Sequence, residues 1–152
     1  MLDYLTRTDG SVAVYLLRAF VTVIVGTIVV VLVASRFIHA PDSTPSDSSR
    51  LTLAIVLLFV WPAIVTAMLQ GLLFPARRIA PTYWHAAGGT ALLLACGLGL
   101  LGGPVMGFVL VWPLFVYAVV FLAWQLKSAG RAWGMTLALQ AMVNLLPVLF
   151  VR

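Results

Sequence analysis

The side chains best placed to do chemistry inside this chain lie in its last apolar segment, four residues apart. Thr136, Gln140 and Asn144 recur at that interval, which places them on one face of a helix. Because polar side chains in hydrocarbon seek hydrogen-bond partners, this face is expected to turn toward other helices. It predicts either interhelical hydrogen bonds or the polar wall of a ligand pocket. Candidate partners are the amides of Gln70 and Gln125.

Three arginines form a second group of interest. Arg18 follows six apolar residues of the first apolar segment, so it lies about 9 Å into a helix that begins at Val12. It either snorkels back to the headgroups or binds an anionic headgroup with Arg77 and Arg78, which belong on the same side of the membrane. The candidate ligand-binding residues are therefore Thr136, Gln140, Asn144, Arg18, Arg77 and Arg78.

Carboxylates, on which much enzymatic chemistry and proton coupling depend, are scarce and confined to the first third of the chain. The acids are Asp3, Asp9, Asp42 and Asp47, and no glutamate occurs. From Ser48 onward the sequence therefore lacks the paired acids of glycosidases, the glutamates of di-iron bundles and an intramembrane acid for proton coupling.

Metal and nucleophile chemistry is equally hard to assemble. The two histidines, His39 and His85, fall on opposite sides of the predicted membrane, and Cys96 is the sole cysteine. These histidines cannot ligate one metal within a subunit, and a lone cysteine forms neither an intrachain disulfide nor a metal cluster. No serine stands in a G-x-S-x-G context. We expect no metal, no cofactor and no catalytic residues, so a non-enzymatic function is predicted.

The elements that must position these side chains follow from composition. Of the 152 residues, 63% are hydrophobic and 9% are charged. Soluble domains are about 25% charged, and so little polar surface cannot cover a water-soluble globule. The chain is therefore predicted to be an integral membrane protein. Its net charge of +5 is attributed to loop lysines and arginines that set orientation, and nucleic acid is not expected as a partner.

Five segments approach the roughly 20 apolar residues that a membrane-spanning helix needs. Within a single domain over 1–152, they are predicted at residues 12–35, 51–74, 86–103, 105–126 and 132–151. A polar outer loop over 36–50 separates the first two, and Gly102-Gly103-Pro104 separates the third from the fourth. The predicted fold is an all-α bundle of five transmembrane helices. The alternative has four, with the last segment on the membrane surface.

Basic residues predict the orientation of these spans. With five crossings, the N-terminal side of the membrane holds Arg7, Arg18, Arg77, Arg78, Lys127 and Arg131. The opposite side holds Arg36, Arg50 and Arg152. Because cytoplasmic loops carry the excess of lysine and arginine, we expect a cytoplasmic N-terminus and an outer C-terminus in a bacterial-type inner membrane. The acidic flank of the first segment favours an uncleaved span over a signal peptide.

Small residues and prolines predict how the helices pack. Small side chains at every fourth position of the third span allow close backbone approach, either within the bundle or between copies: Ala91, Ala95, Gly99 and Gly103. Prolines inside three spans are expected to kink them by freeing a carbonyl four residues earlier: Pro62, Pro113 and Pro147.

Together these features predict a small polytopic membrane protein without catalytic machinery. It is expected to act as a helper, assembly or transport-related subunit, in contact with the lipid bilayer and with a membrane-protein partner or a second copy. The alternative is a binding or carrier protein for a lipid, quinone or other amphipathic small molecule. A cavity lined by the polar face of the last span would favour the alternative, whereas internally paired polar groups would favour the subunit.

Overall fold

The computed structural model describes residues 2–37 and 50–150, and the regular elements of these two ranges are helical. After a 3₁₀ turn at Asp3–Leu5, the helices are α1 (Val12–Phe37), α2 (Arg50–Ile55), α3 (Trp61–Ile79), α4 (Tyr83–Gly102), α5 (Pro104–Gln125) and α6 (Ala129–Phe150). A π-helical segment, Val56–Val60, joins α2 to α3 without a break. Most of the polar loop predicted over 36–50 lies outside the described residues.

Five helical stretches are long and apolar enough to cross a membrane, in agreement with the five apolar segments of the sequence. They are Val12–Arg36, Val56–Ile79, Tyr83–Gly102, Pro104–Gln125 and Ala129–Leu149. The third and fourth are separated at the predicted turn. Gly103 has a φ of 95°, which ends α4, and Pro104 begins α5. Glycine adopts this positive φ without strain, and a proline at the first helical position needs no partner for an N–H. Gly103 alone therefore connects the two helices.

Helix α3 extends further than the sequence predicted. An end was expected at Phe74, but the helix continues through Pro75 to Ile79. A proline removes the hydrogen bond to the carbonyl four residues earlier, here that of Gly71. Gly71 is exposed and lies near the end of the helix, so water or headgroups can bind the freed carbonyl.

Helices α4 and α6 begin three residues earlier than predicted, because capping side chains precede them. The Thr82 hydroxyl accepts from the backbone N–H of His85 at 3.4 Å, and the Ser128 hydroxyl accepts from the N–H of Arg131 at 3.1 Å. Such caps satisfy N–H groups that have no partner within the helix.

The Ser128 cap gives a first prediction. It stabilises the start of α6, the helix that carries the polar row of Thr136, Gln140 and Asn144. Ser128→Ala is expected to lower the free energy of unfolding by about 1 kcal/mol. The measurement is unfolding of the purified protein in mixed micelles by titration with SDS. Ser35→Ala is the matched control, because the Ser35 hydroxyl donates to the Leu32 carbonyl inside α1 and caps no N-terminus. Equal losses in both variants would contradict the capping role.

Helix α5 occupies the centre of the bundle. All of its residues from 116 to 124 are buried, and α1, α3, α4 and α6 all contact it. A helix buried on every side is a core element, whereas the surrounding helices each bury one stripe. On α1, for example, Ala19 and Val23 are fully buried while Leu17 is 57% exposed.

The backbones of α4 and α5 touch at two glycines. A Cβ added at Gly107 would lie 2.7 Å from the carbonyl oxygen of Ala95 and 2.9 Å from the Cα of Gly99. Within the row of small residues on α4, Ala95 and Gly99 therefore meet α5. Ala91 is buried as well, and Gly103 forms the turn.

A third close approach joins α1 to α5. A Cβ added at Gly26 would overlap the indole of Trp112, which lies against the α1 backbone. The indole Nε1 donates to the carbonyl of Thr22 at 2.9 Å. Both α4 and α1 are thus held against the central helix at positions that require glycine.

Candidate functional site

Gln140 lies at the contact between α6 and α3. Its Nε2 donates to the Thr66 hydroxyl at 2.8 Å, and the two residues are 1% and 0% exposed. Hydrogen bonds of this kind between membrane helices contribute about 0.6 kcal/mol on average. The amide that the sequence presented as a candidate ligand group therefore joins two helices of the same chain.

Asn144 completes the hydrogen bonding of the irregular turn before Pro62. In the π-helical segment Val56–Val60, hydrogen bonds run back five residues, as the N–H of Trp61 shows. Pro62 has no N–H, and the carbonyl five residues before it, that of Leu57, accepts from Asn144 Nδ2 at 2.8 Å. An unpaired carbonyl in hydrocarbon costs several kcal/mol, so this bond stabilises the break.

The structure refines what was expected of the three prolines. The sequence predicted that Pro62 frees the carbonyl four residues earlier. In the π-helical register the freed carbonyl is that of Leu57, five residues earlier. Pro113 is buried within α5. Pro147 continues the direction of the polar row on α6 and is exposed.

The glutamines expected to pair with the polar row have other partners. Gln70 accepts from Trp133 Nε1 at 2.6 Å, and Gln125 accepts from Arg77 at 2.7 Å. The antiparallel register of α3 and α6 explains this outcome, because it sets Thr66, one turn before Gln70, level with Gln140. Gln70 is then level with the first turns of α6.

Thr136, the first member of the polar row, is fully buried. Its hydroxyl has no hydrogen-bond partner among the residues that the structure describes. The three members of the row therefore differ. Gln140 binds a side chain of α3, Asn144 binds a backbone carbonyl, and Thr136 packs without a polar contact.

An interior cavity of about 160 Å³ lies beside the paired amides. Gln140 and Asn144 line it together with Thr27, Trp61 and Tyr117. The Thr27 hydroxyl is buried without a partner in the described parts of the chain. Pockets for drug-sized ligands measure about 300–1,000 Å³, whereas one water occupies about 30 Å³. The cavity therefore has room for a few water molecules or one small polar group.

The arginines singled out in the sequence have three different sets of neighbours. Arg77 binds the end of α5, and Arg78 lies 4.7 Å from the centre of the Phe74 ring. Arg18 lines a separate cavity at the first turns of α1, with Arg7 as a fellow lining residue. The structure thus associates Arg18 with Arg7, which sequence reasoning had not singled out, rather than with Arg77 and Arg78.

The segment 2–11 folds back along α1 and forms one side of that second cavity. The Tyr15 hydroxyl donates to the carbonyl of Leu5 at 2.7 Å, and the hydroxyls of Tyr4 and Thr22 are hydrogen-bonded to each other. Leu5 is fully buried, which anchors the segment. The sequence signal of this arrangement was the group Leu2, Tyr4 and Leu5 in an otherwise polar stretch, since all three pack on the core.

In the described part of the chain, histidine, cysteine and acidic side chains form no metal-binding group. Within residues 2–37 and 50–150, no three histidine, cysteine or acidic residues are grouped so that they could hold a metal. His85 follows the Thr82 cap and is exposed, and Cys96 is exposed on α4. His39 lies outside the described residues.

Comparison with known proteins adds no relative. No protein-family model, no curated protein and no solved structure matches the chain. Functional inference therefore rests on the paired interior, the two cavities and the distribution of charge.

Proposed function

We propose that the chain is a five-span inner-membrane protein that acts as a non-catalytic subunit, with a helper, assembly or transport-related role. The observation that carries this proposal is the pairing of the interior amides. Gln140 binds Thr66, and Asn144 binds the Leu57 backbone. A site built for a ligand leaves such groups open to a pocket of ligand size, whereas these groups hold the bundle together.

The proposed orientation has the N-terminus in the cytoplasm. Two contacts support it, because they bring basic residues of different elements to one end of the bundle. Arg77 of α3 binds Gln125 of α5, and Lys127 donates to the backbone carbonyl of Thr8. A common basic end is typical of the cytoplasmic side of a membrane protein.

The outer surface supports contact with lipid and with a membrane-protein partner or second copy. Helix α1 exposes large apolar side chains along most of its length, for example Leu17, Ile28 and Leu32. Such a surface packs against acyl chains or against apolar helices of another subunit.

The test is native mass spectrometry of the protein released from membrane-derived nanodiscs. We expect the chain to be released with a second polypeptide, or a second copy of itself, in a constant ratio. The same ratio is expected for Tyr117→Phe and Thr27→Val, which change the interior cavity and leave the outer surface intact. A lone chain that carries a quinone or other small molecule, lost in those two variants, would contradict the subunit role.

The interior cavity favours a second candidate function, the binding of an amphipathic small molecule. Thr27, Tyr117, Gln140 and Asn144 place polar groups on a lining that is mostly apolar. A ligand with one small polar group could set that group there and leave its apolar part between helices. The mass measurement above distinguishes this candidate from the first, because it identifies what accompanies the chain.

A further inference from the structure

A partly open cavity of about 450 Å³ lies between the segment 2–11 and the first turns of α1. Arg7, Arg18, Tyr4 and Ser11 line it, together with Asp9. Arg18 lies about 9 Å from the start of α1, a depth at which a guanidinium on a bare helix would face acyl chains. The folded-back segment places polar groups beside this arginine, which is itself exposed.

The charge of this cavity is positive. Asp9 also lines it, and the Asp9 carboxylate is 94% exposed and lies 3.9 Å from Lys127 Nζ. Within the described ranges, neither Arg7 nor Arg18 has a carboxylate at ion-pair distance. Two guanidinium groups and one carboxylate thus line the cavity, which leaves it a net positive charge.

The backbone adds to this positive potential. Gly10 and Ser11 line the cavity directly before α1, whose first N–H groups carry the positive end of the helix dipole. Guanidinium groups and helix N-termini both favour phosphate, which accepts several charge-assisted hydrogen bonds.

We propose that this cavity binds a phosphate group, supplied by the headgroup of an anionic membrane lipid. The surroundings favour a lipid over free phosphate. Val14 and Tyr15 give the cavity an apolar wall, and Leu17 and Val21 continue an exposed apolar surface along α1 that acyl chains can follow. The inference goes beyond the subunit role and rests only on the proposed membrane insertion.

The test uses the full chain in neutral detergent micelles at about 0.15 M salt, where long-range charge effects are screened. Dioctanoyl phosphatidylglycerol is titrated against the melting temperature, with dioctanoyl phosphatidylcholine as the neutral comparison. We expect a saturable rise with phosphatidylglycerol only. Arg18→Gln is expected to raise the apparent Kd about tenfold or more, because it removes a charge-assisted hydrogen bond to phosphate.

Arg78→Gln is the matched control, because it removes the same charge from an exposed residue of α3. We expect it to change the apparent Kd less than twofold. Arg7→Gln is a second site variant and is expected to weaken binding as Arg18→Gln does, so the test does not depend on one variant. Equal losses with Arg78→Gln, or no loss with either site variant, would overturn the proposal.

Inorganic phosphate separates the two sources of the ligand. A saturable, Arg18-dependent rise in melting temperature with millimolar phosphate would support the phosphate site and identify free phosphate as its ligand. A rise with phosphatidylglycerol alone supports the lipid. No response to either would overturn the proposal. Resistance of the protein to alkaline carbonate extraction is measured separately, so that failure of membrane insertion is distinguishable from failure of the site.

Discussion

Gly107→Ala is expected to lower the free energy of unfolding by about 1–3 kcal/mol, the range for overpacking a well-packed interior. The added methyl group would lie 2.7 Å from the Ala95 carbonyl oxygen and 2.9 Å from the Gly99 Cα. Both are backbone atoms, so no side chain can rotate away, and α4 must separate from α5. The measurement is SDS-induced unfolding in mixed micelles.

Gly97→Ala is the matched control for this substitution. Gly97 lies on the same helical hairpin, but a Cβ added there meets no atom within 4 Å. Since alanine favours helix over glycine by up to about 1 kcal/mol, this variant is expected to be neutral or stabilising. If Gly107→Ala unfolds no more easily than Gly97→Ala, the two backbones do not approach as described.

Asn144→Leu is expected to destabilise the protein by about 1–3 kcal/mol, because it leaves the Leu57 carbonyl without a donor inside the bundle. The cause can be isolated with Pro62→Ala, which restores the backbone N–H that Pro62 lacks. This N–H offers the Leu57 carbonyl a donor other than Asn144. In the Pro62→Ala background, Asn144→Leu should cost less by about 1 kcal/mol, a coupling measurable in a double-mutant cycle.

Thr136→Val serves as the control within the same row of α6. It removes a buried hydroxyl that has no partner in the described structure, so it is expected to be neutral or stabilising. Additive effects of Asn144→Leu and Pro62→Ala would contradict the role assigned to Asn144. A stable Asn144→Leu protein that has lost a bound small molecule would instead favour the second candidate function.

The elements that the sequence predicted well are those with strong local signals. The low charge and five long apolar segments predicted five helices of spanning length. Gly103 and Pro104 marked the turn between α4 and α5, where a residue with positive φ is followed by the first residue of a helix. The end of α3 was predicted at residue 74, five residues early, because the apolar pattern stops there, whereas the helix continues through Pro75 to Ile79.

The candidate site was less predictable, because its contacts depend on how helices are set beside one another. The four-residue spacing identified Gln140 and Asn144 as inward-facing, but their partners follow from the antiparallel register of α3 against α6. Gln70 was proposed as a partner because of its amide side chain. It lies on α3 one turn beyond Thr66, the residue that is level with Gln140. The π-helical segment that places the Leu57 carbonyl opposite Asn144 has no local sequence signal beyond the proline that follows it.

The association of Arg7 with Arg18 depends on a tertiary contact of the same kind. The sequence assigned Arg7 only to a side of the membrane, whereas the burial of Leu5 and the hydrogen bonds of Tyr15 and Tyr4 turn its segment back along α1. Arg77 and Arg78 shared a predicted membrane side with Arg18, but a shared side does not determine which helices are neighbours.

The central position of α5 has a consequence for biogenesis. The helix that most others pack against is the fourth of the five spanning stretches to leave the ribosome. Until it arrives, α1 lacks the helix against which it mainly packs, and Gly26 of α1 and Gly99 of α4 lack the residues of α5 that they contact. Because a single residue joins α4 to α5, these two helices are suited to assemble as one hairpin. We therefore expect the bundle to close late in translation, once α5 and α6 have both been made, because α1 packs against both of them.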